Sequence, residues 1–167
     1  LSELLGELNG SHTGARYSYR SGLTIGTLGA FYDYDYDGDG LKIKEIIKGG
    51  ALYLQHPDIE EGAIITAIDG EEIKAGEEWS HMLRGKGGKK ILITVKQKGK
   101  KEQDLMIEPG YTDYRQLYNR WVEQRAQMVK ELSGGRVGYV HVEGMDSESF
   151  RRVYSDLLGK YRTCEAV

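Results

Sequence analysis

The sequence predicts an α+β fold: a small β-barrel or sandwich capped by two short helices, with a helical tail before it and a long helix plus a β-α unit after it. Three observations carry this reading. Residues 22–108 alternate short apolar runs with glycine, the punctuation of a strand-rich unit. One of these runs, Ala63-Ile64-Ile65-Thr66-Ala67-Ile68, closes on the hairpin dipeptide Asp69-Gly70. From Tyr114 onward the apolar period changes from that of a strand to that of a helix. Twelve tyrosines and 23 glycines against 2 prolines fit many turns and a strand-rich middle.

The elements follow in chain order. Leu1, Leu4, Leu5 and Leu8 recur at helical spacing around Glu3 and Glu7, and Asn9-Gly10 stops them. A chain that begins inside a packed helix is expected to be a piece of something larger. Leu23-Thr24-Ile25, residues 28–32 and residues 41–47 read as strands, and a short helix follows Lys48-Gly49-Gly50-Ala51. After the buried strand 63–68, Glu71-Glu72-Ile73 runs back from the hairpin. Residues 77–83 form a second short helix ended by Gly85, and strands 91–95 and 104–107 pair across Lys98-Gly99-Lys100-Lys101. Tyr114, Leu117, Tyr118, Trp121, Val122, Met128, Val129 and Leu132 lie on one face of a long amphipathic helix, stopped by Gly134-Gly135. A strand over 137–142 and a helix over 147–158 follow, and Glu165-Ala166-Val167 starts another strand. The expected units are a helical tail over 1–20, the β-rich domain over 22–108, and a long linker helix with a β-α unit over 111–167.

Composition narrows the functional class. With 167 residues there is room for one ordinary domain and pieces of others. A net charge of -3 leaves no basic footprint, so no nucleic-acid partner is expected. No apolar run approaches the ~20 residues that cross a bilayer, so no membrane partner is expected. The single Cys164 excludes an internal disulfide and a multi-cysteine metal site. Asp33-Tyr34-Asp35-Tyr36-Asp37-Gly38-Asp39-Gly40 imitates the start of a calcium loop. Its twelfth position is Lys44 where a bidentate glutamate is required, and its flanks read as strands. It is an exposed hairpin on this reading, and no metal or cofactor is expected. The run Lys86-Gly87-Gly88-Lys89-Lys90 lacks the ending of a phosphate loop and reads as a solvated turn.

The candidate chemistry lies in Asn9-Gly10-Ser11-His12-Thr13-Gly14. Histidine is a general base near neutral pH, and a neighbouring hydroxyl can orient its ring. His56 beside Pro57 in a loop, His81 on a short helix and His141 in a strand read as structural.

The segment from Glu61 to Glu71, preceded by Lys48-Gly49-Gly50-Ala51, resembles a PDZ domain of the bacterial protease type, with Ala63 where that family carries Asp. The resemblance implies β-augmentation, in which an extended peptide adds a strand to a sheet edge beside a helix. It puts the edge at Leu28-Gly29-Ala30-Phe31, the wall at Trp79, Met82 and Leu83, and a carboxylate-binding loop at Gly26-Thr27-Leu28-Gly29. The flanks extend it. Tyr114-Arg115 with Arg120-Trp121-Val122-Glu123, and Gly135-Arg136-Val137-Gly138-Tyr139-Val140-His141-Val142, resemble the tricorn-type branch of the C-terminal-processing serine peptidases. That branch inserts its PDZ module between two halves of a catalytic unit. The resemblance implies that Ser11 and His12 are its Ser-His pair, with His12 the general base. It also implies that the nucleophilic serine, the oxyanion strand and an acidic fourth residue lie beyond Val167. The fragment alone is then inactive. Substrates would be peptides or unfolded proteins. The parent would be a homo-oligomer, because the branch forms hexamers. The resemblance points to the cytoplasm, and export stays open. The alternative is a non-catalytic peptide-binding or scaffolding module.

Overall fold

A computed structural model describes Glu7, Gly10 and residues 24–167. Six strands form one antiparallel sheet: β1 (Ala30–Tyr32), β2 (Leu41–Ile46), β3 (Ile64–Ile68), β4 (Glu71–Glu72), β5 (Ile91–Lys96) and β6 (Gln103–Ile107). Their spatial order is β1-β2-β3-β5-β6, with β4 beside β3. The β3–β4 hairpin turns on Asp69 (φ 49°) and Gly70 (φ 81°), the paired positive angles that match the twist of a tight hairpin. The sheet is open. Between its two ends stands a single bridge, in which the Thr27 N–H donates to the Gly110 carbonyl at 2.9 Å and the Gly110 N–H donates back at 2.8 Å. The chain therefore enters and leaves the sheet at one point.

The core follows the alternation of the strands. Leu41 and Ile43 of β2, Ile65 and Ile68 of β3, Ile91, Ile93 and Val95 of β5 and Ile107 of β6 are buried together. Leu28, Ile59, Ile73 and Leu83 from the connections close over them, as does Leu52 of the short helix α1 (Ala51–Gln55). Each such side chain contributes roughly 1.5–3 kcal/mol by leaving water. The α+β class matches the sequence expectation, while of the expected strand 23–25 only an isolated bridge from Ile25 to Arg84 is described.

Three local differences have physical causes. Over 77–83 only a four-residue 3₁₀ turn forms, Ser80–Leu83. The Glu78 carboxylate accepts the Ser80 N–H at 2.8 Å, which starts the turn at Ser80, and at its other end the Leu83 carbonyl accepts the Gly26 N–H at 2.8 Å. Of the expected strand 137–142, a single parallel bridge from Val137 to Ala166 is present, because no further segment lies alongside to extend the ladder among the described residues. The last helix, α3 (Ser147–Ser155), is capped by the Asp146 carboxylate on the Ser149 N–H at 2.8 Å, and it runs into a π-helical turn, Asp156–Lys160. The long helix α2 (Tyr114–Leu132) is as expected, ended by Gly134 and Gly135 at positive φ. The expected tail helix lies outside the described residues, apart from Glu7.

Candidate functional site

β1 is the outermost strand of the sheet among the described residues, and the 3₁₀ turn stands across from it. Residues on a strand alternate sides, and β1 obeys this. Ala30 and Tyr32 pack toward the core with Trp79 and Met82 of the opposite wall. The Tyr32 and Trp79 rings meet edge to face, centroids 5.2 Å apart at 78°. The Tyr32 phenol is pushed above its ordinary pKa, first by burial and then by the carboxylate of Asp113. Phe31 points the other way. Its ring lies 5.8 Å from the Arg120 guanidinium of α2, and Arg120 pairs with Glu45, the residue opposite Phe31 on β2, at 2.5 Å.

The expected peptide-binding residues therefore divide by role. Ala30 and Phe31 present backbone at the sheet edge, while Trp79 and Met82 are half-buried along the facing wall. Leu28 and Leu83, each 1% exposed, belong to the core and reach the groove only from below. Gly26 and Gly29 form the loop at its head. Tyr32, at the end of the same strand, joins the wall by period-two alternation from Ala30. Ser11 and His12 lie outside the described residues.

The loop at the head of the groove is held from inside. The Thr27 N–H donates to Gly110 and the Gly26 N–H to Leu83, while the Gly29 N–H donates to the Thr27 Oγ1 at 3.2 Å. The Thr27 hydroxyl in turn donates to the Asp113 carboxylate. Below, the Leu28 and Gly29 carbonyls accept the N–H groups of Leu52 and Ile47, both at 2.9 Å, which seats the loop on the start of α1.

At the far end, the hairpin 33–40 shares with Tyr32, Leu41, Ile73 and Trp79 a cavity of about 170 Å³. Its carboxylates bond to neighbours: Asp33 pairs with Lys42 at 2.9 Å, and Asp39 accepts the Ala75 N–H at 3.0 Å. Both sit below the ordinary carboxylate range, Asp33 chiefly through the Lys42 hydrogen bond and Asp39 through that of Ala75. Among the described residues no three His, Cys, Asp or Glu groups are placed to share a metal ion. The remaining histidines each have contacts. His56 bonds the Met106 carbonyl at 2.9 Å, His81 lies between Glu71 and Glu78, and His141 sits among Tyr118, Trp121 and Tyr139.

The sequence model described as the tricorn protease PDZ domain matches residues 26–110. A tricorn protease homolog of Saccharolobus solfataricus is 30% identical over 172 residues, covering 96% of this chain and 16% of its own length. The tricorn protease of Thermoplasma volcanium is 25% identical over 168 residues, 92% of this chain and 16% of its own. The chain thus spans about a sixth of the length of these relatives. The crystal structure of the tricorn protease superposes with a TM-score of 0.63 at 26% identity, covering 81% of this chain and 14% of that one.

Proposed function

The chain belongs to the tricorn protease PDZ domain family, and from that premise we propose that it holds extended peptides along the β1 edge for a serine peptidase built around it. The observation that carries this reading is β1 itself, an outer strand faced across a groove by Trp79 and Met82. A peptide adding there gains a few backbone hydrogen bonds and one or two side-chain contacts. After the cost of ordering it, affinity should be about 1 µM or weaker, about -8 kcal/mol at best. Fluorescence anisotropy with labelled extended peptides tests this. Saturable binding weakened by Met82→Ala supports it, and no saturation at millimolar peptide contradicts it.

In the same reading His12 is the general base toward a serine supplied from beyond residue 167, and Ser11 orients its ring. Removing the base leaves only binding and oxyanion stabilisation, whereas removing an orienting hydroxyl leaves the base in place. In the whole protein His12→Ala is therefore expected to lower kcat by about 100-fold or more, and Ser11→Ala by less. A wild-type rate for His12→Ala would remove it from the mechanism. The isolated chain is expected to be inactive.

A second reading, in which the module mainly holds two catalytic halves together, is favoured by how the chain meets its neighbours. The Thr27–Gly110 bridge brings the incoming and outgoing segments side by side, the geometry of an inserted domain. Asp113, Gln116 and Arg120, spaced by 3 and 4 residues, turn one stripe of α2 onto Thr27, the Gly49 carbonyl and Glu45. The bridge supports a unit whose ends lie near residues 22 and 108.

A further inference from the structure

We propose that the groove takes an internal extended segment and rejects a free C-terminus, because the chain's own Asp113 carboxylate occupies the electrostatic place of a peptide carboxylate. The inference rests on the groove reading above. A loop that captures a terminal carboxylate needs backbone N–H groups converging on open space. Here the Gly26 and Thr27 donors are turned inward, onto the Leu83 carbonyl at 2.8 Å and the Gly110 carbonyl at 2.9 Å. The Gly29 donor ends on the Thr27 Oγ1 at 3.2 Å, and the Thr27 hydroxyl passes that polarisation on to Asp113. The relay finishes on a negative charge.

A second feature points the same way. Asp113 occupies the N-cap position of α2, yet its side chain makes no capping hydrogen bond. A carboxylate at an N-cap ordinarily accepts a helix N–H. This one is turned to Thr27 instead, so the anion is held at the loop and not at the helix. An incoming peptide carboxylate would meet a like charge and, at Gly26, Thr27 and Gly29, donors already engaged. An internal segment, or an amidated end, meets neither obstacle and still finds the β1 edge.

Two N-terminally fluorescein-labelled decapeptides of one alternating apolar–polar sequence, one a free acid and the other a C-terminal amide, test this by anisotropy against the chain at low salt. The amide is expected to bind at least as tightly as the acid. Asp113→Asn, which removes the charge and keeps the shape, should improve the acid about fivefold and change the amide by less than about twofold. Wild-type binding of the acid about tenfold tighter than the amide would overturn the inference while leaving the groove reading intact. An unchanged acid-to-amide ratio in Asp113→Asn would also overturn it. Binding of neither peptide would overturn the groove reading, and this inference with it.

Discussion

Gly29 holds φ at 76° where the loop rests on the start of α1, and a Cβ there would stand 2.6 Å from the Ala51 nitrogen. Backbone offers no room to yield, and an L side chain disfavours that angle. Gly29→Ala should therefore cost about 2–4 kcal/mol, read as a lower denaturant midpoint at unchanged slope. A loss under about 0.5 kcal/mol would show that the loop is not seated as described. His81 offers a pH test. Its pKa is raised, first by the Glu71 hydrogen bond and also by Glu78. A raised folded pKa stabilises fully below the unfolded value of about 6.5, and the contribution is lost as pH rises through the folded pKa. NMR titration should place His81 above 6.5. Glu71→Gln should bring it down, and an unmoved value would contradict the pairing. Asp113 could not be picked out from sequence, since one Asp before a helix reads as an ordinary cap until its partner, 86 positions away, is known.

Among the elements, legibility followed how local the cause was. The 63–68 strand and its Asp69-Gly70 hairpin are set by neighbouring residues, and both stand where the apolar run and turn dipeptide put them. The 77–83 helix shrank to one 3₁₀ turn that starts only after Trp79, whose ring is held on Tyr32 of β1, distant in sequence. The resemblance places Phe31 on the edge strand, and alternation turns its ring to α2, where it meets Arg120. That contact makes a prediction at this scale. Arg120 and Glu45 are each about two-fifths exposed (41% and 38%), so the ion pair itself is worth about 0.2–1 kcal/mol. A double-mutant cycle of Arg120→Ala with Phe31→Ala should give a coupling of about 0.5–1 kcal/mol. A coupling indistinguishable from zero would mean that α2 is not docked on β1.

For the molecule as a whole, the PDZ-like α+β plan was legible because its punctuation is local, and the matched span 26–110 begins and ends beside the Thr27–Gly110 bridge. The catalytic reading rests on resemblance, since a Ser-His dipeptide is a weak signal by itself and Ser11 and His12 lie outside the described residues. The central claim is that β1 is a usable edge. Amide-shift mapping of the chain by NMR during titration with an extended, C-terminally amidated decapeptide tests it most directly. The account predicts shifts concentrated at residues 28–32 and 79–83, with the amides of β6, at the other end of the sheet order, unmoved. Shifts confined to β6 or α3, or none at millimolar peptide, would contradict it.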